Sequence, residues 1–225
     1  MTRGKQYFRC SKLSAGTFRQ LLRCFALDLT ATQTSSLTNI SVRSVNTIFL
    51  RIRARLAEEC ERHSPFQGEL EADESYFGPR LVRGVRGRGA GGKTIVFGLL
   101  KRGNQVYTEI VPNATKAVLQ AVIRGKVSPA SVIHTDGWRG YDGLVDLGFD
   151  KHYRVHHHDN EFARGSSHIN GIESFWSFAK RRLVKFNGVA RHTFLLHLKE
   201  TEFRFNHRHQ DLYQALLSLL RNNPL

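Results

Sequence analysis

Hydrophobic residues recur along this chain at two periods, and the change of period divides it. Phe18, Leu21, Leu22 and Phe25 repeat at helical spacing, as do Val42, Val45, Ile48, Phe49 and Ile52, so residues 11–62 read as helices. Ser41 stands where an N-cap belongs. Between the two runs, residues 30–36 are rich in Thr and Ser, a poor helix former by propensity. Residues 63–68, His-Ser-Pro-Phe-Gln-Gly, read as a linker. From Glu69 the period shortens. Glu71, Asp73, Ser75 and Phe77 alternate onto one face of a strand. Residues 94–100 and 105–111 predict a hairpin around Arg102-Gly103-Asn104. A helix is predicted over 115–123, a buried strand over 131–134, a short helix over 138–147 and a last strand over 153–156. Helical spacing returns at Ile169, Ile172, Trp176, Ala179 and Leu183. Asn187-Gly188 makes a turn, 194–206 is a strong helix, and 211–220 a short apolar one. That last helix either packs back or meets a second subunit.

Composition adds a partner to this outline. The 225 residues hold 34 Lys+Arg against 19 Asp+Glu, a net charge of +15. That excess favours a polyanion, nucleic acid first. An anionic membrane fits less well, because the basic residues are spread along the chain rather than lined on one amphipathic helix. No run approaches the roughly 18 apolar residues of a membrane span, and the first nine residues lack the apolar core of a signal peptide. Cys10, Cys24 and Cys60 are odd in number and widely spaced, which suits a reducing cytoplasm and gives no disulfide framework.

Three carboxylates stand out by position. Asp73 lies on the alternating strand. Asp136 ends an apolar run and is followed by Gly137, the pattern of a buried strand's mouth. Glu173 sits off the apolar stripe of its helix, and Lys180 follows two turns on, pointing the same way. Acids from two strands and one helix are able to converge on a divalent cation, since Mg²⁺ and Mn²⁺ take hard oxygen ligands. His134, two before Asp136, either orients that carboxylate or is a core histidine bonded to backbone. Residues 78–93 hold six Gly, four Arg (Arg80, Arg83, Arg86, Arg88), Lys93 and no acid, either a phosphate-contacting arm or a solvated loop. The string Gly87 to Thr94 fits a P-loop, but a β-rich run follows where a helix must begin, so ATP binding is rejected. His156-His157-His158, with His152, read as a basic surface, because consecutive strand residues point to opposite faces. Arg43, Asn46, Arg51, Arg53 and Arg55 lie on or near the face opposite the apolar stripe of residues 42–52. Short helix, turn, longer basic helix is the pattern of a helix-turn-helix, although the glycine common in that turn is missing.

The strings EADESYFG (71–78), IHTDGWRGY (133–141), HINGIESFW (168–176), the Lys180 that follows, and HLKETEFRFNHR (197–208) resemble the DDE transposases of bacterial insertion sequences. The closest group is insertion-sequence family fifteen ninety-five, with its ISXO-two-like transposase domain. The resemblance implies an α/β, RNase H-like catalytic domain over 69–208, a mixed five-stranded sheet flanked by helices, with its first and fourth strands adjacent. It implies Asp73, Asp136 and Glu173 as a metal-binding catalytic triad holding two Mg²⁺ (or Mn²⁺) ions, Asp73 bridging both, and Lys180 on a DNA phosphate. Members of the family place a DNA-binding module in the region of 11–62, in keeping with a helix-turn-helix domain there; Arg43, Asn46 and Arg51, opposite the apolar stripe, are the residues expected toward DNA, and residues 1–10 read as a basic flexible stretch. A C-terminal helix and tail follow at 209–225. Relatives often carry an N-terminal zinc ribbon, whose ligand pattern is absent here. The implied activity is cleavage at inverted-repeat element ends and strand transfer into target DNA. The implied setting is a homo-oligomer on double-stranded DNA, with no membrane, in a bacterial cytoplasm at the nucleoid. Two rivals stay open: a nuclease or resolvase on the same fold that cuts without joining, and a non-catalytic helix-turn-helix DNA-binding protein.

Overall fold

A computed structural model describes residues 7–8, 13–62, 66–78, 92–103, 105–136, 151–155 and 169–225. The chain divides into two compact units. One comprises residues 1–61 and 199–225, the other residues 62–198.

The first unit is helical. Helix α1 (Ala15–Ala26) is capped by Ser14, whose hydroxyl accepts from the Thr17 N–H at 3.1 Å. Helix α2 (Ala31–Thr38) occupies the Thr/Ser stretch judged a poor helix former, and the reason is local. Thr30 and Gln33 form a capping box: the Gln33 N–H donates to Thr30 Oγ1 at 3.3 Å, and the Thr30 N–H to Gln33 Oε1 at 2.8 Å. The hydroxyls of Ser36 and Thr38 are spent on carbonyls one turn back, and Thr34 is fully buried. The turn that lacks glycine uses Asn39 instead, in the left-handed region at φ 55°, which Asn tolerates better than most residues. Helix α3 (Val42–Glu61) follows, with Ser41 accepting from the Ser44 N–H at 3.2 Å.

The core of this unit gathers Phe18, Leu21, Leu22 and Phe25 of α1 and Val45, Ile48, Phe49, Ile52 and Leu56 of α3. Helix α7 (Leu212–Asn222) packs back into it through Leu216, Leu217 and Leu220. Arg53, expected on the solvent face of α3, is buried. Its Nε donates to Glu200 Oε2 at 2.6 Å. Glu200 also accepts from Arg204 Nε at 2.8 Å. Arg204 in turn donates to the carbonyls of Phe25 and Ala26 at the end of α1, where a helix leaves carbonyls without intrahelical partners. Residues 199–206 thus tie the far end of the chain into the N-terminal helices by charge-assisted hydrogen bonds. They are the second half of helix α6 (Arg191–Asn206).

The second unit is built on a sheet. Strands β1 (Glu69–Phe77), β2 (Thr94–Lys101), β3 (Gln105–Val111), β4 (Val132–Asp136) and β5 (Lys151–Val155) lie in the order β3-β2-β1-β4-β5. The first three pair antiparallel. β4 joins β1 in parallel and β5 joins β4 in parallel. One face carries Leu70, Ala72, Phe97, Leu99, Tyr107 and Ile133, covered by Leu119 and Ile123 of helix α4 (Lys116–Lys126). Helix α5 (Asn170–Val184) packs against β1 and β2. Side chains alternate, and from one face of β1 Glu71, Asp73 and Phe77 reach Ile172 and Trp176 of α5. The expected helix at 138–147 and the three consecutive histidines 156–158 lie outside the described residues.

Candidate active site

The parallel register of β1 and β4 runs from Glu69↔Val132 to Ala72↔Thr135. The next residue on each strand is an aspartate, Asp73 and Asp136. Sixty-three positions apart in sequence (136 − 73), the two acids follow directly on the last paired residues of β1 and β4, Asp136 at the end of its strand and Asp73, expected at a strand end, in the middle of β1. Their proximity is electrostatic as well as topological. Asp73 has its pKa raised from 3.8 to about 7, first by burial, then by Glu74, with Asp136 adding to the rise. A backbone hydrogen bond at Glu74 and the Trp176 indole work in the opposite direction. The indole Nε1–H donates to Asp73 Oδ2 at 3.0 Å.

Glu173 lies in the first turn of α5 and is exposed. Its side chain leaves the helix one turn before Trp176, the residue that touches Asp73. Among the described residues, no three His, Cys, Asp or Glu side chains stand close enough to hold a metal ion as a ready set. The structure therefore brings Asp73 and Asp136 together and sets Glu173 on the helix packed over their strand, without closing the three acids on one point. The donor set suits a hard divalent cation in its chemistry. Asp73 resists ionisation because its surroundings disfavour negative charge, and a cation beside it would reverse that balance.

Lys180 is exposed on α5, its Nζ 5.9 Å from the centre of the Phe77 ring at the end of β1. His134 is buried. Its ring stacks on Tyr153 at 5.3 Å, and its Nε2 lies 3.6 Å from Glu69 Oε2, at the start of β1 rather than at Asp73. Lys93 is half-buried just before β2. Arg80, Arg83, Arg86 and Arg88 lie outside the described residues. In the helical unit, Arg43, Asn46 and Arg51 are exposed on α3, with the Arg51 guanidinium 5.2 Å from the centre of the Phe8 ring.

Two side chains near the acids escaped the sequence reading. Trp176 reads there as part of an apolar stripe, and Glu71 only as an alternating strand residue. Glu71 is buried, its Oε2 accepting from the Ile172 N–H at 2.9 Å, and its Oε1 lies 3.2 Å from Arg102 Nε. A signal for this packing was present in Gly98. A glycine inside an otherwise apolar strand marks a close approach, and a Cβ there would lie 2.6 Å from the Trp176 ring.

Comparison with known proteins places the site in context. An uncharacterized transposase-like protein of Haemophilus influenzae is 47% identical over 102 residues, covering 45% of this chain and 81% of that relative. An uncharacterized protein in transposable element ISH50 of Halobacterium salinarum is 29% identical over 178 residues, and the match spans 72% of this chain and 60% of that protein. Among solved structures, the Mos1 strand transfer complex aligns over 92% of this chain and 78% of its own, at 12% identity and a TM-score of 0.36. The Mos1 mariner paired end complex with Mn aligns at 12% identity and a TM-score of 0.34, over 89% and 77%. The ISXO2-like transposase domain matches residues 65–206, from the segment before β1 to the end of α6, and the chain belongs to that transposase family.

Proposed function

We propose that this chain is a metal-dependent DNA transposase of an insertion sequence, with Asp73, Asp136 and Glu173 as its acidic triad on an RNase H-like sheet. The observation that carries the reading is the parallel pairing of β1 with β4, which ends in two neighbouring aspartates under the helix that bears Glu173. Asp73 and Asp136 would hold a Mg²⁺ or Mn²⁺ ion, and Glu173 would complete the second site of a two-ion centre. Bound there, such ions supply Lewis acidity and lower the pKa of a water near a phosphodiester. The chain's own residues do the positioning. Lys180, on the same helix as Glu173, meets a DNA phosphate as a point charge. Arg43, Asn46 and Arg51 read DNA from α3, which with α2 and the Asn39 turn forms a helix-turn-helix. Arg80, Arg83, Arg86, Arg88 and Lys93 add phosphate contacts, and the net charge of +15 draws the polyanion in. The partners are the inverted-repeat ends and a target duplex, engaged by a homo-oligomer.

The test is a pair of reactions on labelled duplexes carrying the termini of the encoding element, with Mg²⁺ present. The parent chain cuts the end and joins the released 3′-hydroxyl to target DNA. Glu173→Gln, which keeps the shape and removes the charge, still binds ends but loses both reactions by orders of magnitude. Near-parental strand transfer by Glu173→Gln rejects the triad. Cutting without joining by the parent moves the protein to a nuclease or resolvase.

A further inference from the structure

We propose that Glu71 and Trp176 are positioning residues, which lock the helix carrying Glu173 against the strand carrying Asp73 by two crossed polar contacts. The proposal rests on the triad reading above. Helix α5 begins without help from its own sequence, because Ile169 stands at its N-cap and no side-chain cap bond is made there. The first N–H groups of a helix lack intrahelical partners. Glu71 meets this need from another element. Reaching over from β1, its carboxylate accepts from the Ile172 N–H at 2.9 Å. Buried to 1% exposure, it is balanced by Arg102 at 3.2 Å and by the positive end of the helix. A Cβ at Gly171 would sit 2.8 Å from the same Glu71 oxygen, so the glycine is what lets the acid reach the backbone.

The second contact runs the other way. Trp176, on the second turn of α5, donates its indole N–H to Asp73 at 3.0 Å. Asp73 pairs across the sheet with Gly98. A Cβ on Gly98 would lie 2.6 and 2.8 Å from two ring carbons of Trp176. The benzo ring therefore packs against the Gly98 backbone while the indole N–H reaches Asp73. Apolar filling alone would be served by phenylalanine, whereas an N–H aimed at an acid requires tryptophan.

The pairing is reciprocal. Glu71, two residues before Asp73, holds the residue before Glu173. Trp176, three residues after Glu173, holds Asp73. Acids from two elements thereby keep one spacing before any ligand arrives, as partners behind a metal site do.

The full chain is titrated with Mn²⁺ alone, without DNA, following the free-ion resonance, and end cleavage is measured against Mn²⁺ concentration. Trp176→Phe and Glu71→Ala are expected to raise the Mn²⁺ dissociation constant about tenfold and to move the cleavage midpoint in parallel, with metal-free DNA binding unchanged. Glu71→Gln keeps an acceptor for the Ile172 N–H and recovers most of the loss. Folded Trp176→Phe binding Mn²⁺ like the parent overturns the proposal, as does Glu71→Gln damaged as badly as Glu71→Ala. Should Glu71→Ala fail to fold, Trp176→Phe decides. Asp73→Asn separates the two ideas. If it abolishes Mn²⁺ binding while Trp176→Phe does not affect it, only the positioning role falls. If Asp73→Asn binds Mn²⁺ normally, the triad reading falls and the positioning role with it.

Discussion

Replacing Asp73 by Asn should make the metal-free protein more stable at neutral pH while removing its activity. Asparagine keeps an oxygen to accept the Trp176 N–H and never ionises. The folded-state pKa of Asp73 is raised from 3.8 to about 7, so the sign follows from proton counting. Below about pH 4 the carboxyl is protonated in folded and unfolded chains alike and contributes nothing. From there to about 7 the unfolded chain releases the proton and the folded one keeps it, at a cost to the fold of about 1.4 kcal/mol per pH unit. Above 7 the penalty levels at roughly 4 kcal/mol, a large part of the 5–15 kcal/mol typical of a domain. Urea unfolding of parent and Asp73→Asn across this range cancels the titrating groups that do not interact with Asp73, while Glu74 and Asp136 enter through their coupling to it. The variant should match the parent near about pH 4 and gain on it through about pH 8, by an amount on the order of 2–4 kcal/mol. Mg²⁺ at the upper pH should restore the parent and leave the variant alone. A stability difference that is flat with pH, or that favours the parent at high pH, refutes the reasoning.

Glu200→Ala removes the buried carboxylate shared by the guanidiniums of Arg53 and Arg204 and should cost about 3–5 kcal/mol in urea unfolding; a loss below about 1 kcal/mol would show that neither depends on it. Lys180→Ala should weaken end binding and lower the slope of log affinity against log salt by about one, read by gel shift over a salt series; an unchanged slope removes it from the phosphate contacts. The Arg43→Ala, Asn46→Ala, Arg51→Ala triple variant should lose its preference for element ends over random DNA, and parental discrimination in the same gel would take α3 off the DNA.

Much of this architecture is written in periodicity. Apolar residues at helical spacing in 18–25, 42–52 and 169–183 mark α1, α3 and α5, and strand alternation at 71–77 already puts Glu71, Asp73 and Phe77 on one face, because these periods are local geometry. Residues 30–36 went the other way: propensity argued against a helix, and a capping box with back-bonded hydroxyls outweighed it. Arg53 shows the limit of face assignment, since a basic residue at a nominally exposed position is buried once Glu200, 147 positions away, supplies its partner. The same limit governs the site. Spacing singles out Asp73 on an alternating strand, Asp136 at a strand's mouth and Glu173 off a helix stripe, but only the β1–β4 pairing makes two of them neighbours. Only the packing of α5 on β1 turns a stripe tryptophan and an alternating glutamate into hydrogen-bond partners of the strand and of the helix start. Contacts of that kind depend on the register between elements distant in sequence, and no local period carries that register.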